Sequence, residues 1–599
     1  MQNPLFSDFP ATTASEWRKK IEQDLKGKPI DQLAWKAPDQ MVIQAFYHRE
    51  HGSKGIGENS LPGEVPFRRG SVFHADEPGW QIVQALQSSS ETPTRLAEAI
   101  EAEVGAVLIQ GDMANVGAWM EKYPLSNMAI HLAPEGEPLG AIQVLAAQCV
   151  AQRIPSTHLT GTLAWDCVTQ AALQGKKTSP TQIKSLAAAI SVSQEFPYFR
   201  SLGIDLTQIG ERGANASYQL AIALAATAET IDLIRQQNPD LSAETLAENL
   251  HYVFPMSGSF FLEVGKFRAF RVLISTLLSA YGLDSAGLLS PFVMARSGKR
   301  YLAHYDRHNN LLRHTTAAMS AILGGVEAVA LDPFDVLEGE DTKAGTRLAR
   351  NIQFLLKHES YLDQVQDAGG GAYYVEEITN QLANKAWEVF QAIEAAGGLG
   401  EYATHGMLNL SLAQQSASEL EAFNKRKKTL IGVNESANPG ETMESLEIAS
   451  GERRVAAALE SLRAQADRFG LVRGKRLTAF TWQFGEIKMR SARAQFSRNL
   501  LAAGGIDVIE NQAPDDLEAS QAQLASVSPE IVVLCSADPA YTEMGPTLIA
   551  AARAASPDCI VLIAGKPEGW ESLGANDCIF AGIDAQAFLS ELLSELIPS

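Results

Sequence analysis

The chain has 599 residues, too many for one hydrophobic core, and 46% of them are hydrophobic, enough to fill two or three domains. Its 70 acidic residues outnumber 49 basic ones, giving a formal net charge of -21, and no cluster of Lys or Arg is long enough to follow a phosphate backbone. Nucleic acid is excluded as a partner, whereas an anionic small molecule held by a few local arginines is not.

No run of about 18 apolar residues offers a membrane span, and MQNPLFSDFPATTASEW lacks the basic lead and apolar centre of an export signal. The expectation is a cytoplasmic protein with no membrane partner. Cys149, Cys167, Cys535, Cys559 and Cys578 are scattered, without a Cys-x-x-Cys pair or a histidine companion. That spacing predicts buried reduced thiols instead of a zinc site or a disulfide framework.

In chain order, residues 1–60 hold one amphipathic stretch, Ala14 to Leu25, followed by an irregular part with Trp35, Phe46 and Tyr47. So many aromatics in so short a segment predict an arm that packs on something larger, either its own barrel or a partner. From Pro62 to about Gly400, short apolar runs (VGAVLIQG, NMAIHLA, THLTGTLAWD) alternate with stretches of helical period. Over residues 61–400 this alternation suits a parallel (β/α)8 barrel, although no internal repeat fixes the count of eight. Residues 401–472 read as helices and a linker, with NESANPGE (Asn434 to Glu441) as the most loop-like part. In residues 473–599, strand candidates at Leu477 to Phe484, Ile506 to Ile509, Glu530 to Leu534 and Cys559 to Ala564 alternate with helices, the first ending at Gly504-Gly505. The C-terminal part is therefore a small doubly wound α/β domain.

The segment RLARNIQFLLKHESYLDQVQDAGGGAYYVEE, Arg347 to Glu377, reads as a helix, a triple-glycine turn and a strand. Arg347, Ala349, Arg350, Asn351, Gln353, Glu359, Ser360, Asp367, Gly370, Gly371, Tyr373, Tyr374 and Glu376 form a long ordered signature. Together with GKFRAFR (Gly265 to Arg271), MSAILGGVEAVALDPFD (Met319 to Asp335) and RKKTLIGVN (Arg426 to Asn434), it resembles the acyl-CoA mutases, above all methylmalonyl-CoA mutase. The resemblance implies an acyl-CoA mutase barrel, an N-terminal arm that wraps a partner subunit, and a C-terminal flavodoxin-like domain of the cobalamin-binding type.

It also implies chemistry whose positions are blank in this chain. Where the family carries Asp-x-His-x-x-Gly, with the histidine on cobalt and the glycine leaving room for the nucleotide tail, GEIKMRSA places Ile487, Met489 and Ala492. Met489 is a soft thioether, but Met489, Ala492, Phe496 and Leu500 recur at helical spacing and predict an ordinary core-facing helix. The family's Ser-x-Leu and Gly-Gly stand here as Cys535-Ser536-Ala537 and Ala564-Gly565. In the barrel, Trp-Thr-Ile-Arg-Gln-Tyr becomes WQIVQA, so Val83 and Ala85 replace the carboxylate-holding arginine and the tyrosine beside the reacting centre. GTLAWD puts Ala164 and Trp165 in place of a polar pair, and the indole is expected to fill substrate space. TQIGERGA has Thr207 and Gln208 at the tyrosine and acid/base histidine, and VMARSG has Val293 and Ala295 at a His and a Gln. Gln208 hydrogen-bonds but transfers no proton near neutral pH.

Other motifs have plainer readings. His304, His308 and His314 lie about a polar turn and predict a solvated loop, because no His-Glu-x-x-His pattern accompanies them. Ser536 sits in no Gly-x-Ser-x-Gly elbow. GGGAYY lacks the Lys-Ser/Thr pair of a phosphate loop and reads as a structural turn. The expectation is therefore no catalytic, cofactor-binding or metal residue on this chain. By resemblance it is the small subunit of a heterodimeric methylmalonyl-CoA mutase, which interconverts succinyl-CoA and (R)-methylmalonyl-CoA, with adenosylcobalamin on a homologous large subunit. The alternatives are an acyl-CoA-binding regulatory subunit and a mutase with reassigned active-site residues.

Overall fold

Runs rich in Val, Ile, Leu and Ala, each followed by helical period, form nine strand segments: β1 Gln81–Gln87, β2 Ala106–Gly111, β3 Ala129–Pro134, β4 Thr160–Leu163, β5 Tyr198–Arg200, β6 Leu202–Asp205, β7 Leu250–Met256, β8 Phe292–Ser297 and β9 Ala328–Leu331. The computed structural model describes residues 12–48, 50, 55–71, 79–120, 128–283, 288, 290–339, 342–443, 446–449 and 451–597. The segments pair in the order β5-β4-β3-β2-β1-β9-β8-β7-β6, all parallel. β5 and β6, the two edges, are consecutive pieces of chain separated by Ser201 alone. The sheet is thus a nearly closed barrel of nine segments, with the split at Ser201 accounting for the ninth.

Closure gives every strand an inner and an outer face. Val83, Ala106, Leu108, Ala129, Val253, Met294, Ala328 and Ala330 form one apolar group inside. Their neighbours, among them Ile82, Val107, Ile130, Val293, Ala295 and Val329, pack outward with the surrounding helices. Below the inner apolar group the register lines up a polar row, with His131 beside Thr162 and Thr162 beside Arg200. The His131 ring lies 2.9 Å from Thr162 Oγ1 and 3.2 Å from Gln81 Oε1. His251, paired with Gly203, is fully buried, and neither ring nitrogen has a hydrogen-bond partner among the described residues. Gly203 leaves the space for it: a Cβ there would lie 2.8 Å from the His251 ring and from Ala164 Cα.

The signature segment is built around buried charge. The Arg68 guanidinium donates to Glu376 Oε2 at 2.6 and 3.0 Å, and Arg268 donates to Glu376 Oε1 at 2.7 Å and to Asp367 Oδ1 at 2.9 Å. Arg69 adds a 2.8 Å contact to Asp367, and the Gly371 amide donates to Glu376 at 2.8 Å. Any side chain at position 370 would collide with Arg69, since a Cβ would sit 2.2 Å from its Nη1. The triple glycine leads into the helix Tyr373–Ala395, not the strand expected from sequence. Val375, Ile378, Leu382, Ala386 and Ile393 give that stretch a helical apolar face buried on the barrel, and this overrides the aromatic start that reads as β.

The helix Ala14–Asp24, capped by Thr13 and Glu16, buries none of its residues. Residues 37–43 instead return to the barrel: Ala37, Asp39, Met41 and Ile43 are buried, and Asp39 Oδ1 accepts from the Ser217 amide at 2.7 Å. The arm expected over residues 1–60 is therefore split, and its first 11 residues lie outside the described ones. In RKKTLIGVN, buried Asn434 accepts from the Leu430 amide at 2.7 Å and donates to the Phe423 and Lys428 carbonyls at 2.9 Å, fixing a turn. All five cysteines are buried free thiols.

The C-terminal domain has strands β10 Thr478–Gln483, β11 Asp507–Glu510, β12 Ile531–Cys535, β13 Ile560–Ala564 and β14 Asp577–Ile579. They are parallel in the order β11-β10-β12-β13-β14, which is consistent with a flavodoxin-like arrangement. β14, three residues long, carries too little pattern to be read from sequence.

Two consequences are measurable. Glu376→Gln would leave Arg68 and Arg268 buried without their shared counter-charge, at a cost of about 3–5 kcal/mol in the barrel's urea transition. Acid is expected to destabilise the barrel in two windows. Burial presses the His131 and His251 rings down to about 3 from an ordinary 6.5. The unfolded chain then takes up protons first, so stability present above pH 6.5 is lost progressively towards pH 3, on the order of 2 kcal/mol per histidine at pH 5. Lower down, burial opposes the charge of Glu376, but Arg268, the Gly371 amide and Arg68 hold it at about 2, below its ordinary 4.5. Its contribution is present above pH 4.5 and lost as pH falls through 2. Urea midpoints that do not differ between about pH 7 and about pH 5 would contradict the burial of both rings.

Candidate functional site

Parallel barrels carry their chemistry at the C-terminal ends of the strands, so the positions flagged by motif comparison are judged by where that mouth puts them. Val83 is inward and belongs to the apolar group that fills the barrel, and Ala164 borders the same group. Ala85 is half-buried on the same face of β1. Trp165 is buried but packs in the layer outside the sheet, so its indole is not what fills the interior. Val293 and Ala295 also point outward, and it is Met294 between them that reaches the interior. Gln208 is exposed, and Thr207 is tied to Asp205 by 2.8 and 2.6 Å bonds from its amide and hydroxyl.

The polar groups that the mouth does hold serve the scaffold. Asp166 accepts from the amides of Thr169 at 2.8 Å and Asp205 at 3.0 Å, capping one helix and bracing the next strand, and burial raises its carboxyl to about 6. Gln84 faces outward and accepts from Arg350 of the signature at 2.7 Å, and Gln353 accepts from the Trp80 indole at 3.2 Å. Arg296, 3.8 Å from Asp332, is the one inward cation on β8. His314 is not on a solvated loop: it is buried on the helix Asn309–Leu323, and burial lowers its ring to about 4. His304 is half-buried, and exposed His308 stacks on Phe334.

A cavity of about 1180 Å³ opens at the opposite, N-terminal end of the barrel. His131, Arg200 and Phe292 line it, and the five-residue π-helical turn Leu355–Glu359 borders it through Lys357 and His358. Sequence comparison passed over His131, Arg200 and His251, because none stands in a family motif. The available signal was a polar residue on the inward phase of a buried strand.

In the C-terminal domain the ligand crevice of a doubly wound sheet lies at the C-terminal ends of β10, β12 and β13. Ile487 is 68% exposed, Ala492 is exposed and Met489 is half-buried at the start of the helix Ile487–Ala503. This corrects the core-facing expectation, since the buried face is Arg490, Ala494, Ser497, Leu500 and Leu501. Arg490, itself buried, pairs with the exposed Asp515 at 2.5 Å, and a buried arginine hides the true phase of the helix.

Arg493 fills the crevice. It donates to the Ser536 carbonyl at 2.5 Å and to Asp538 at 2.6 Å, and a Cβ on Gly565 would lie 2.7 Å from its Cζ. Loops close over the same place: Ser536 Oγ donates to the Phe484 carbonyl at 2.7 Å, and the Tyr541 hydroxyl lies 2.6 Å from the Ala564 carbonyl and accepts from the Ser536 amide. Without a nitrogen ligand at 489, and with a guanidinium seated on Gly565, these residues do not fit the cobalamin implied by the resemblance.

Comparison with known proteins agrees with the architecture. Residues 97–471 match the family model for methylmalonyl-CoA mutase. The methylmalonyl-CoA mutase small subunit of Porphyromonas gingivalis is 27% identical over 577 residues, covering 90% of each chain. The probable small subunit of Mycobacterium tuberculosis is 30% identical and covers 98% of this chain and 96% of its own. The large subunit of the Streptomyces virginiae enzyme is 26% identical over 72% of this chain and 64% of its own. This chain therefore belongs to the methylmalonyl-CoA mutase family.

Proposed function

We propose that this chain is the small, non-catalytic subunit of a heterodimeric, adenosylcobalamin-dependent methylmalonyl-CoA mutase in the cytoplasm. In this reading a homologous large subunit holds the cofactor and interconverts succinyl-CoA and (R)-methylmalonyl-CoA, and this chain stabilises it by binding its folded state. The domain roles follow: residues 1–60 as the arm, 61–400 as a mutase-type barrel, 401–472 as a helical linker and 473–599 as a degenerate cobalamin-binding-type domain. The observation that carries the reading is the barrel interior, where Val83, Leu108 and Met294 occupy the axis that an acyl chain would need.

The arm supports the partnership. Trp17, Leu33, Trp35 and Val42 are all more than a third exposed, on a segment whose helix has no buried residue. Obligate pairs bury roughly 2,000 Å² or more, and exposed aromatics on a short segment suit such an interface. Deleting residues 1–36 is the sharper test, because residues 37–43 pack on the chain's own barrel. The truncated chain is expected to co-elute with the large subunit at least about tenfold more weakly; undiminished assembly would give the arm another role.

Turnover tests the remainder. The chain alone, supplied with adenosylcobalamin, is expected to convert no methylmalonyl-CoA. The triple variant Ile487→Asp, Met489→His, Ala492→Gly restores the family's residue types at largely exposed positions, so it is expected to fold with a loss of about 1 kcal/mol, mostly from glycine in a helix. It should nevertheless elute colourless from gel filtration with cobalamin, because Arg493 still occupies the crevice. A red, base-off protein band would show that the crevice opens, and product formed by the chain alone would refute the non-catalytic reading.

A further inference from the structure

Arg212 and Arg453 form a positive pair at the rim of the barrel's C-terminal mouth. Arg212 ends the short helix Thr207–Glu211 that follows β6, and Arg453 lies in the segment that leads into the helix Ala457–Arg473. One side chain brings these two stretches together: Arg300, just past β8, donates from Nη1 to the Glu211 carbonyl at 3.2 Å and to the Arg453 carbonyl at 2.7 Å. Arg212 Nη1 is occupied by the Leu173 carbonyl at 3.2 Å and Asn409 Oδ1 at 3.0 Å, while its Nε is buried with no hydrogen-bond partner among the described residues. Burial, and then the charge of Arg453, press the Arg212 guanidinium below its ordinary range.

No acid answers the pair. Among the described residues neither arginine makes an ion pair within 4.0 Å. The neighbouring carboxylates are engaged elsewhere. Glu211 Oε1 accepts from the Lys299 amide at 2.6 Å, and its charge is met by Arg300 and Lys299. Glu452 is paired with Arg454 at 2.5 Å, and Glu419 with Arg300 at 2.7 Å and with Lys428. In a chain of formal net charge -21, two like positive charges left side by side are a local exception to the surrounding field. A buried N–H without an acceptor and an uncompensated charge both cost stability, and one oxyanion removes both costs. A phosphate dianion carries two charges and more acceptor oxygens than a carboxylate, so it suits two guanidinium forks better.

We propose that Arg212 and Arg453 form a phosphate-binding site at this rim, with the Asn409 amide nitrogen beside them as a further donor. The group bound is inorganic phosphate or the phosphate of an organic monoester, since both present the same oxygens. Arg212 belongs to the barrel and Arg453 to the stretch that joins it to the C-terminal domain, so a bound dianion replaces a repulsion across that junction with a bridge. The inference stands apart from the partner-subunit reading, which assembly and turnover decide separately.

The test is calorimetry of the full chain with sodium phosphate at low ionic strength and mildly alkaline pH, where phosphate is chiefly a dianion. Binding is expected at about millimolar Kd, with acetate at least about tenfold weaker. Arg453 is exposed and its side chain makes no hydrogen bond among the described residues, so Arg453→Gln keeps the fold, and it should weaken phosphate at least about tenfold. Adenosine monophosphate binding as tightly as phosphate, or more tightly, would assign the group to an organic ester, and weaker binding would assign it to the free ion. The thermal midpoint gives a second readout: phosphate should raise it above its value in chloride of equal ionic strength, and less so in Arg453→Gln. No heat with phosphate, the result if the patch instead receives the acidic face of a partner protein, would overturn the site. So would acetate binding as tightly as phosphate, an unchanged phosphate affinity in the Arg453→Gln chain, or a midpoint that phosphate raises no more than chloride does.

Discussion

Two arginines, Arg68 and Arg268, and two carboxylates, Asp367 and Glu376, are almost wholly withdrawn from water, and each is tolerable only because the others are in place. They come from three segments far apart in sequence: the chain before the first barrel strand, the helix Phe260–Ala280 and the turn into the helix Tyr373–Ala395. Misplacing any one of these segments would strand a buried charge, so the network fixes the position of all three against the barrel. This gives the signature a structural role that needs no chemistry. Asp367 and Glu376 are ion partners, Gly370 makes room for Arg69, and Gln353 and Arg350 hold Trp80 and Gln84.

Barrel closure imposes the second constraint, a strict alternation between the interior and the helical layer. A motif alignment supplies residue identities but not their phase against that alternation. For Val83 and Ala85 the two agree, and the sequence was enough. For Val293 and Ala295 they do not: both face outward, and the interior is filled by Met294, a residue that motif comparison ignored. Trp165 likewise packs outside. The axis is filled by Val83, which the motifs named, together with Leu108 and Met294, which they did not. The alternation of strands and helices was legible from apolar runs, whereas the split at Ser201 was not, because a single interrupted ladder leaves no mark in composition.

The C-terminal domain repeats this lesson. Four of its five strands are apolar runs that announce themselves, and the glycine pair at 504–505 ends its first helix as expected. Which face of that helix is buried could not be read from apolar spacing, because its packing face includes Arg490 and Ser497 and omits Ile487. The element that decides the crevice, Arg493, reaches residues 43 and 45 positions away, and such a contact has no local signature.

These features bear on how, on the proposed reading, a non-catalytic subunit would be maintained. An active barrel must keep an open axis lined with polar groups, whose packing is lost until substrate arrives, and active sites characteristically trade stability for function in this way. Here the upper axis is closed by apolar side chains and the crevice by a guanidinium with two hydrogen-bond partners, so both regions contribute to the folded state. On the proposed reading that surplus matters outside the chain: a rigid subunit that recognises only the folded large subunit shifts its partner's folding equilibrium by mass action. The lower axis escapes this closure. There the interior keeps a fully buried His251 whose ring nitrogens have no hydrogen-bond partner among the described residues, a cost that apolar packing does not offset.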